Sequence, residues 1–275
     1  MDLEKAKLDE LLEEVSKRGF ISTRREVLVN RTYKFPRQLK PFKLGIVSDT
    51  HIGSQMQQIS LLHEAYKEMA KEKVKVILHC GDMIEGNGKL YKGQIYEMFL
   101  HGADNMVKYA IENYPKADNI LTYVIGGSHD FSFYKSDGAD VLARIAEKRD
   151  DIRYLGVSGA FINIGKIKIY LMHPDGGSAY ARSYKMQKII EQFPPAQKPN
   201  ILLCGHYHIT NELPNYRNVV GLQLPCFQTQ TQYLRAKGLN PDIGYLILEV
   251  FPDIKGIAHF KTDWRFFYEP SEGDY

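Results

Sequence analysis

The chain has 275 residues, 44% of them hydrophobic and 25% charged, with a formal net charge of +3. This describes a globular protein with a sizeable core, and so small a charge does not by itself point to a polyanionic partner. Three cysteines (Cys80, Cys204, Cys226) without a Cys-x-x-Cys pair argue against a disulfide framework, and no apolar run approaches the roughly 20 residues of a membrane span.

The N-terminus, MDLEKAKLDELLEEV, is charged and periodic, unlike a signal peptide. A soluble, cytoplasmic protein with no membrane association is therefore expected. Leu3, Leu8, Leu11, Leu12 and Val15 predict a helix over 2–18, stopped by Gly19. ISTRREVLVNRTYKF predicts one or two short strands. From Lys17 to Lys43 there are nine Lys or Arg and one acid, Glu26. Pro36 and Pro41 mark a linker. Residues 1–40 thus read as a helix and basic hairpin appended to a main domain over 41–275.

After Lys43, short apolar runs alternate with helical stretches. The runs are KLGIVSD (43–49), VKVILHCGD (74–82), ILTYVIGGSHD (120–130), KIKIYLMHP (166–174) and NILLCGH (200–206). Helices are predicted at about 57–72, 94–113, 137–148 and 180–192. Continuous apolar strands between helices predict an α/β sheet covered on both faces. After His208 the helical pattern stops, and the remaining strands suggest a second sheet packed on the first.

Each of the five runs ends in metal-ligand residue types: Asp49 and His51; Asp82; Ser128, His129 and Asp130; His173; His206 and His208. Five of the nine histidines fall at these ends, too many for chance placement. Ligands of open α/β sheets gather at the carboxyl ends of strands. A His and Asp set without Cys suits Mn²⁺, Fe²⁺, Zn²⁺ or Co²⁺. Six strong ligands exceed one tetrahedral ion and suit two ions, the arrangement used for in-line attack at phosphorus.

Asp-x-His, Gly-Asp, a Gly-x-His-Asp stretch, His and Gly-His-x-His, in that order, resemble the motif series of the calcineurin-like metallophosphoesterases. The resemblance spans residues 43 to about 250. YKGQIYEMFLHG, MHPDGGSAYARSYKMQKIIEQF and LLCGHYH further look like a prokaryotic and phage subgroup related to repair nucleases and to the archaeal replicative polymerase small subunit. The family implies a two-sheet α/β metallophosphoesterase sandwich flanked by helices. It also implies two divalent ions, with Mn²⁺ expected and Fe²⁺, Zn²⁺, Co²⁺ or Ni²⁺ as alternatives. By the same resemblance, Asp49, His51 and His208 hold the first ion, Asp82 bridges, and His173 and His206 hold the second. A hydroxide between the metals attacks the phosphorus, His129 stands near the leaving group, and Asp130 orients His129. One position departs: the family has Asn where this chain has Ser128, a shorter and poorer ligand, which implies a weaker second site.

Substrate contacts are expected from Tyr91, Lys92 and Gln94, in a cap after the second run, and from Arg182 and Lys185 after Gly176-Gly177. Arg24, Arg25, Arg31 and Lys34 are the DNA-contact candidates of the basic run, which equally fits a solvated hairpin or a contact between copies in a homo-oligomer. A DNA nuclease is the leading expectation. The alternatives are a small-molecule or cyclic-nucleotide phosphodiesterase or phosphomonoesterase, and a weakly active accessory subunit binding replication or repair proteins.

Overall fold

Strand β2, Phe42–Val47, shows how the layers arise. Its side chains alternate, so Leu44 and Ile46 join one core and Val47 another. Both faces are covered, which is why the run is apolar without interruption. The computed structural model describes residues 31–38 and 40–275. The predicted helix 2–18, Gly19, Arg24 and Arg25 lie outside the described residues.

One six-stranded sheet holds β2, β3 (Val76–His79), β4 (Leu121–Gly126), β5 (Ile152–Val157), β11 (Gly244–Pro252) and β12 (Ile257–Phe266), in the order β12-β11-β2-β3-β4-β5. The other holds β1 (Arg31–Phe35), β6 (Gly159–Ile164), β7 (Ile167–Met172), β8 (Ile201–Cys204), β9 (Asn211–Tyr216) and β10 (Val219–Gln223), in the order β1-β6-β7-β8-β10-β9. The two-sheet sandwich is as expected, but its division is not. The five ligand-bearing runs split three and two between the sheets, and the C-terminal strands are shared. The chain crosses at Ser158, whose φ of 64° turns β5 into β6. Neither β5 nor β6 was anticipated from the sequence. β1 pairs in parallel with β6, so this part of segment 1–40 is an edge strand of the sandwich.

Leu44, Ile46, Leu78 and Ile125 meet Ile169, Leu171 and Leu203 between the sheets. Helices α1 (Ile59–Lys71), α2 (Ala103–Asn113) and α4 (Val141–Lys148) cover the outer face of the first sheet through Leu62, Met69, Met106, Ala110 and Ile145. Helix α5 (Tyr184–Gln192) covers the second through Met186 and Ile190.

Two predicted helices are interrupted. The stretch 94–113 is a 3₁₀ turn at Gln94–Glu97, then extended chain, then α2. The stretch 137–148 is the end of α3 (Asp130–Asp137) and α4, parted where Gly138 takes φ 71° as a left-handed cap. A further short helix, α6 (Gln232–Ala236), lies where only strands were expected, started by the Thr231 side chain accepting from the Leu234 N–H. No described helix is long and apolar enough to cross a membrane.

Candidate active site

β2, β3 and β4 of one sheet and β7 and β8 of the other deliver their carboxyl ends to one edge of the sandwich. Two of the connecting loops are laced together by backbone. The N–H groups of Asp49, His51 and Ile52 donate to Gly81, Asp82 and Met83 carbonyls at 2.9, 3.1 and 2.9 Å, and Glu85 returns one to Ile52 at 2.8 Å. Asp49, His51, Asp82, His206 and His208 all sit at φ between 44° and 78°. That left-handed conformation costs about 1–3 kcal/mol per residue and concentrates at functional sites. Two glycines permit the crowding. A Cβ on Gly81 would lie 2.5 Å from His173 Nδ1, and one on Gly127 would run into the Asp82 carboxylate.

Two groups of potential ligand atoms form from residues that the resemblance assigns to metal, and His51, Glu85 and His129 make a third. Asp49, His51 and His208 converge in the first, and Asp82, His173 and His206 in the second, each with ligand atoms within 4.8 Å of one another. His208 Nε2 lies 3.2 Å from Asp49 Oδ1 and 3.1 Å from His51 Nε2. His173 Nε2 lies 3.0 Å from Asp82 Oδ2. The far nitrogens are anchored. His51 Nδ1 pairs with Glu85 Oε2 at 2.9 Å, His173 Nδ1 with the Cys80 carbonyl at 2.8 Å, and His206 Nε2 with the Gly176 carbonyl at 2.8 Å. Such anchoring aims the other nitrogen, as metal-binding histidines require. His173 Nε2 is buried and has no hydrogen-bond partner. A pair of divalent cations fits this donor set.

Burial works against charge on Asp82, yet His173 and His129 outweigh it and hold its carboxyl well below the ordinary range. Burial likewise opposes ionisation of Asp49, and His208 overcomes it, so this carboxyl too is lowered. Burial alone would lower His173, but Asp82 and Asp49 reverse that and push it up to about 9. His206 falls to about 4 through burial and the nearby His173.

His129 ends the β4 connection and starts α3. Its Nδ1 donates to the Glu85 carbonyl at 2.7 Å, leaving Nε2 as its second nitrogen. Burial lowers its pKa, but Asp82 and Glu85 more than compensate, so it is raised above the ordinary value. Asp130 does not touch the His129 ring. Its oxygens accept from the N–H groups of Met83, Ile84 and Gly127 at 3.2, 3.0 and 2.8 Å, so it fastens the loops and does not orient the imidazole. The carboxylate nearest His129 that accompanies its anchor is Glu85, 3.7 Å from Nδ1. Buried Glu85 also accepts from Gln94 Nε2 at 2.9 Å and Gln228 Nε2 at 3.0 Å. Sequence reasoning passed it over; its spacing three residues after Asp82 was the available signal.

Ser128 lies where the motif placed it, with Oγ 3.4 Å from Asp82 Oδ2. It lines a cleft of about 340 Å³ with His51, Asp82, His129, His206 and His208. Of the expected substrate contacts, Tyr91 lines this cleft. Gln94 is fully buried and braces Glu85 instead. Lys92 is exposed and is not among the residues lining the cleft. Arg182 and Lys185 line a neighbouring crevice that shares Ser178 and Tyr207 with the cleft. β1 begins at the edge carrying the site, with Arg31 in register with Ala160 and, through it, Leu171. Lys34 is exposed and lies toward the opposite end, in register with Asn163 and Lys168. A larger cavity of about 800 Å³, between the Gln55–Gln58 loop and the chain's last residues, holds none of the candidate ligands.

The calcineurin-like phosphoesterase superfamily domain matches residues 42–220. No curated protein matches the chain. Among solved structures, a conserved uncharacterised protein of Streptococcus pneumoniae TIGR4, described as a predicted phosphoesterase, is similar over 83% of this chain and 100% of its own, at 15% identity and a TM-score of 0.40. GAP50, the anchor in the inner membrane complex of Plasmodium, is similar over 85% of this chain and 87% of its own, at 9% identity and a TM-score of 0.48. Vps29 of Chaetomium thermophilum is similar over 85% of this chain and 100% of its own, at 10% identity and a TM-score of 0.41.

Proposed function

The chain belongs to the calcineurin-like phosphoesterase superfamily, and on that premise we propose that it is a dimetal-dependent phosphodiesterase that cuts DNA. The observation carrying the proposal is the pair of ligand groups, Asp49–His51–His208 and Asp82–His173–His206, opening with His129 into one cleft. When bound, two divalent ions, Mn²⁺ foremost, supply Lewis acidity to phosphoryl oxygens and a water acidic enough to act as nucleophile near neutral pH. The protein's own residues do the rest. Asp82 Oδ2 and His173 Nε2 stand 3.0 Å apart, and the Cys80 carbonyl takes the His173 Nδ1–H, so the donor atoms are in place before substrate arrives. His129, anchored at Nδ1 and raised in pKa, presents a protonated Nε2 to the leaving oxygen and delivers the proton there. Glu85 keeps that ring in place.

DNA is favoured by the position of Arg31, the first described residue of the basic run Lys17–Lys43, at the start of β1 on the site's edge. One observation favours a second reading, hydrolysis of small phosphodiesters: none of the described residues lining the cleft is Lys or Arg. The two are separated by supplying Mn²⁺ with single-stranded DNA, duplex DNA, bis-p-nitrophenyl phosphate and p-nitrophenyl phosphate. Cleavage of DNA that disappears in His129→Ala and Asp82→Asn supports the nuclease. Turnover of the small diester alone supports the second reading, and turnover of none of them overturns both.

A further inference from the structure

The cleft has a wall that the ligand groups do not explain. Tyr91 and Tyr233, distant in sequence, stack with centroids 4.2 Å apart and planes 24° from parallel. Both line the cleft, and Tyr233 keeps 40% of its surface exposed. The pair is built and not incidental. Glu97, only 7% exposed, receives the Tyr91 hydroxyl at 2.5 Å on one oxygen and the Tyr233 backbone N–H at 3.0 Å on the other. Thr231 caps α6 at the Leu234 N–H, fixing the turn that carries Tyr233. Leu90, Leu234 and Leu239 complete an apolar surround.

An apolar, flat-faced wall beside a phosphate-cleaving centre calls for a substrate with a flat, weakly polar ring next to its phosphate. Among the described residues, no Lys or Arg lines the cleft to hold a second phosphate there. The cations stand outside it. Lys92 and Lys237 are exposed, and Lys237 Nζ lies 5.8 Å over the Tyr233 ring. Aromatic faces with cations just beyond them are the arrangement by which proteins grip single strands, stacking bases and tracking the backbone. A paired base has both faces and its edge occupied by the duplex and must be extruded to reach such a wall.

We propose that the Tyr91–Tyr233 ledge is a base-stacking subsite that selects unpaired nucleotides, making single-stranded nucleic acid the substrate class. The ledge deepens the phosphodiesterase reading and rests on it for the position of the phosphate. The test measures fluorescence anisotropy of a labelled oligothymidylate and a labelled hairpin duplex on the full chain, with metal chelated so that nothing is cut. Tyr233→Ala is expected to weaken the single strand about tenfold, the size of one lost stacking contact, and to affect the duplex much less. Tyr233→Phe, which keeps the ring, retains wild-type binding. Tyr233→Leu, which keeps apolar bulk without a flat face, behaves as Tyr233→Ala. Equal binding of the two probes by the wild type, or an unchanged single-strand affinity in Tyr233→Ala, overturns the ledge. A separate assay with bis-p-nitrophenyl phosphate and Mn²⁺ distinguishes the two failures. Diester turnover without single-strand preference sinks the ledge alone. Preference without turnover of any diester sinks the phosphodiesterase.

Discussion

The ligand cluster and the aromatic wall face the same cleft, yet they are assembled by different means. The cluster comes from short loops at strand ends, laced by backbone hydrogen bonds and held at left-handed φ values. Its residues are of types with few other uses when gathered together. The wall comes from Leu90–Glu97 and Thr231–Leu239, segments whose tyrosines and leucines could serve any core. What makes them a site is a single buried carboxylate, Glu97, gripping both. Chemistry is carried by residue type and spacing, whereas selectivity is carried by contacts between segments far apart in the chain.

The largest expected effect breaks the cluster itself. Asp82 is close to both His173 and the His129 backbone, whose N–H reaches Oδ1 at 2.8 Å. Asp82→Asn removes the charge that offsets two histidines and a cation pair. Metal stoichiometry by elemental analysis is expected to fall below two, and diester turnover to near background. Full occupancy and activity in this variant would show that the cluster is not the metal centre. His129→Ala sharpens the distinction between holding metal and moving a proton. Metal content is expected to stay while kcat falls by about 10²–10⁴, the usual contribution of a positioned acid.

A smaller effect is expected at Glu85, which stands between the two regions. It braces His51 and His129 on one side and takes Gln94, from the wall segment, on the other. Glu85→Gln is expected to cost roughly 10–100-fold, the range for a residue supporting ligands, and to lower kcat more than it changes KM. The pH profile adds a signature that mere loosening would not give. Glu85 helps raise the His129 pKa; without its charge the imidazolium loses its proton earlier. The alkaline limb of kcat therefore moves to lower pH. An unshifted limb would remove Glu85 from the proton-holding role.

Legibility followed the same divide. The five strand ends were readable because Asp49, His51, Asp82, His129, His173, His206 and His208 stand in order after apolar runs. The two-sheet sandwich was readable through the same motifs, but the assignment of strands to sheets was not. β5 and β6 are not predicted by the sequence pattern, and Ser158, an ordinary residue in a left-handed conformation, switches the chain between sheets. The resemblance gives Asp130 the task of orienting His129; in the fold Asp130 answers three backbone N–H groups of the neighbouring loops, and Glu85 stands beside the imidazole. Gln94 is expected to touch substrate as part of a cap after the second run, yet the 3₁₀ turn directs it inward. Such errors share a cause: side-chain direction in irregular loops is fixed by tertiary hydrogen bonds, which carry no period.

The smallest expected effect is a gain. Ser128 Oγ lies 3.4 Å from Asp82 Oδ2, so its hydroxyl is beside the second ligand group but ends one bond short of where an amide oxygen would reach. Its neighbour Gly127 already packs against the Asp82 carboxylate, so the backbone cannot move inward to compensate. Ser128→Asn supplies the longer side chain and a carbonyl acceptor without altering charge. Second-metal affinity is expected to rise by roughly tenfold, within the range for a residue that tunes a metal site, and diester turnover to rise with it at limiting Mn²⁺. At saturating Mn²⁺ the gain shrinks, because the wild type then fills the same site by mass action. A gain that persists undiminished at saturation would place the benefit on the phosphate instead, and no gain at either concentration would mean that the hydroxyl already serves as well as the amide.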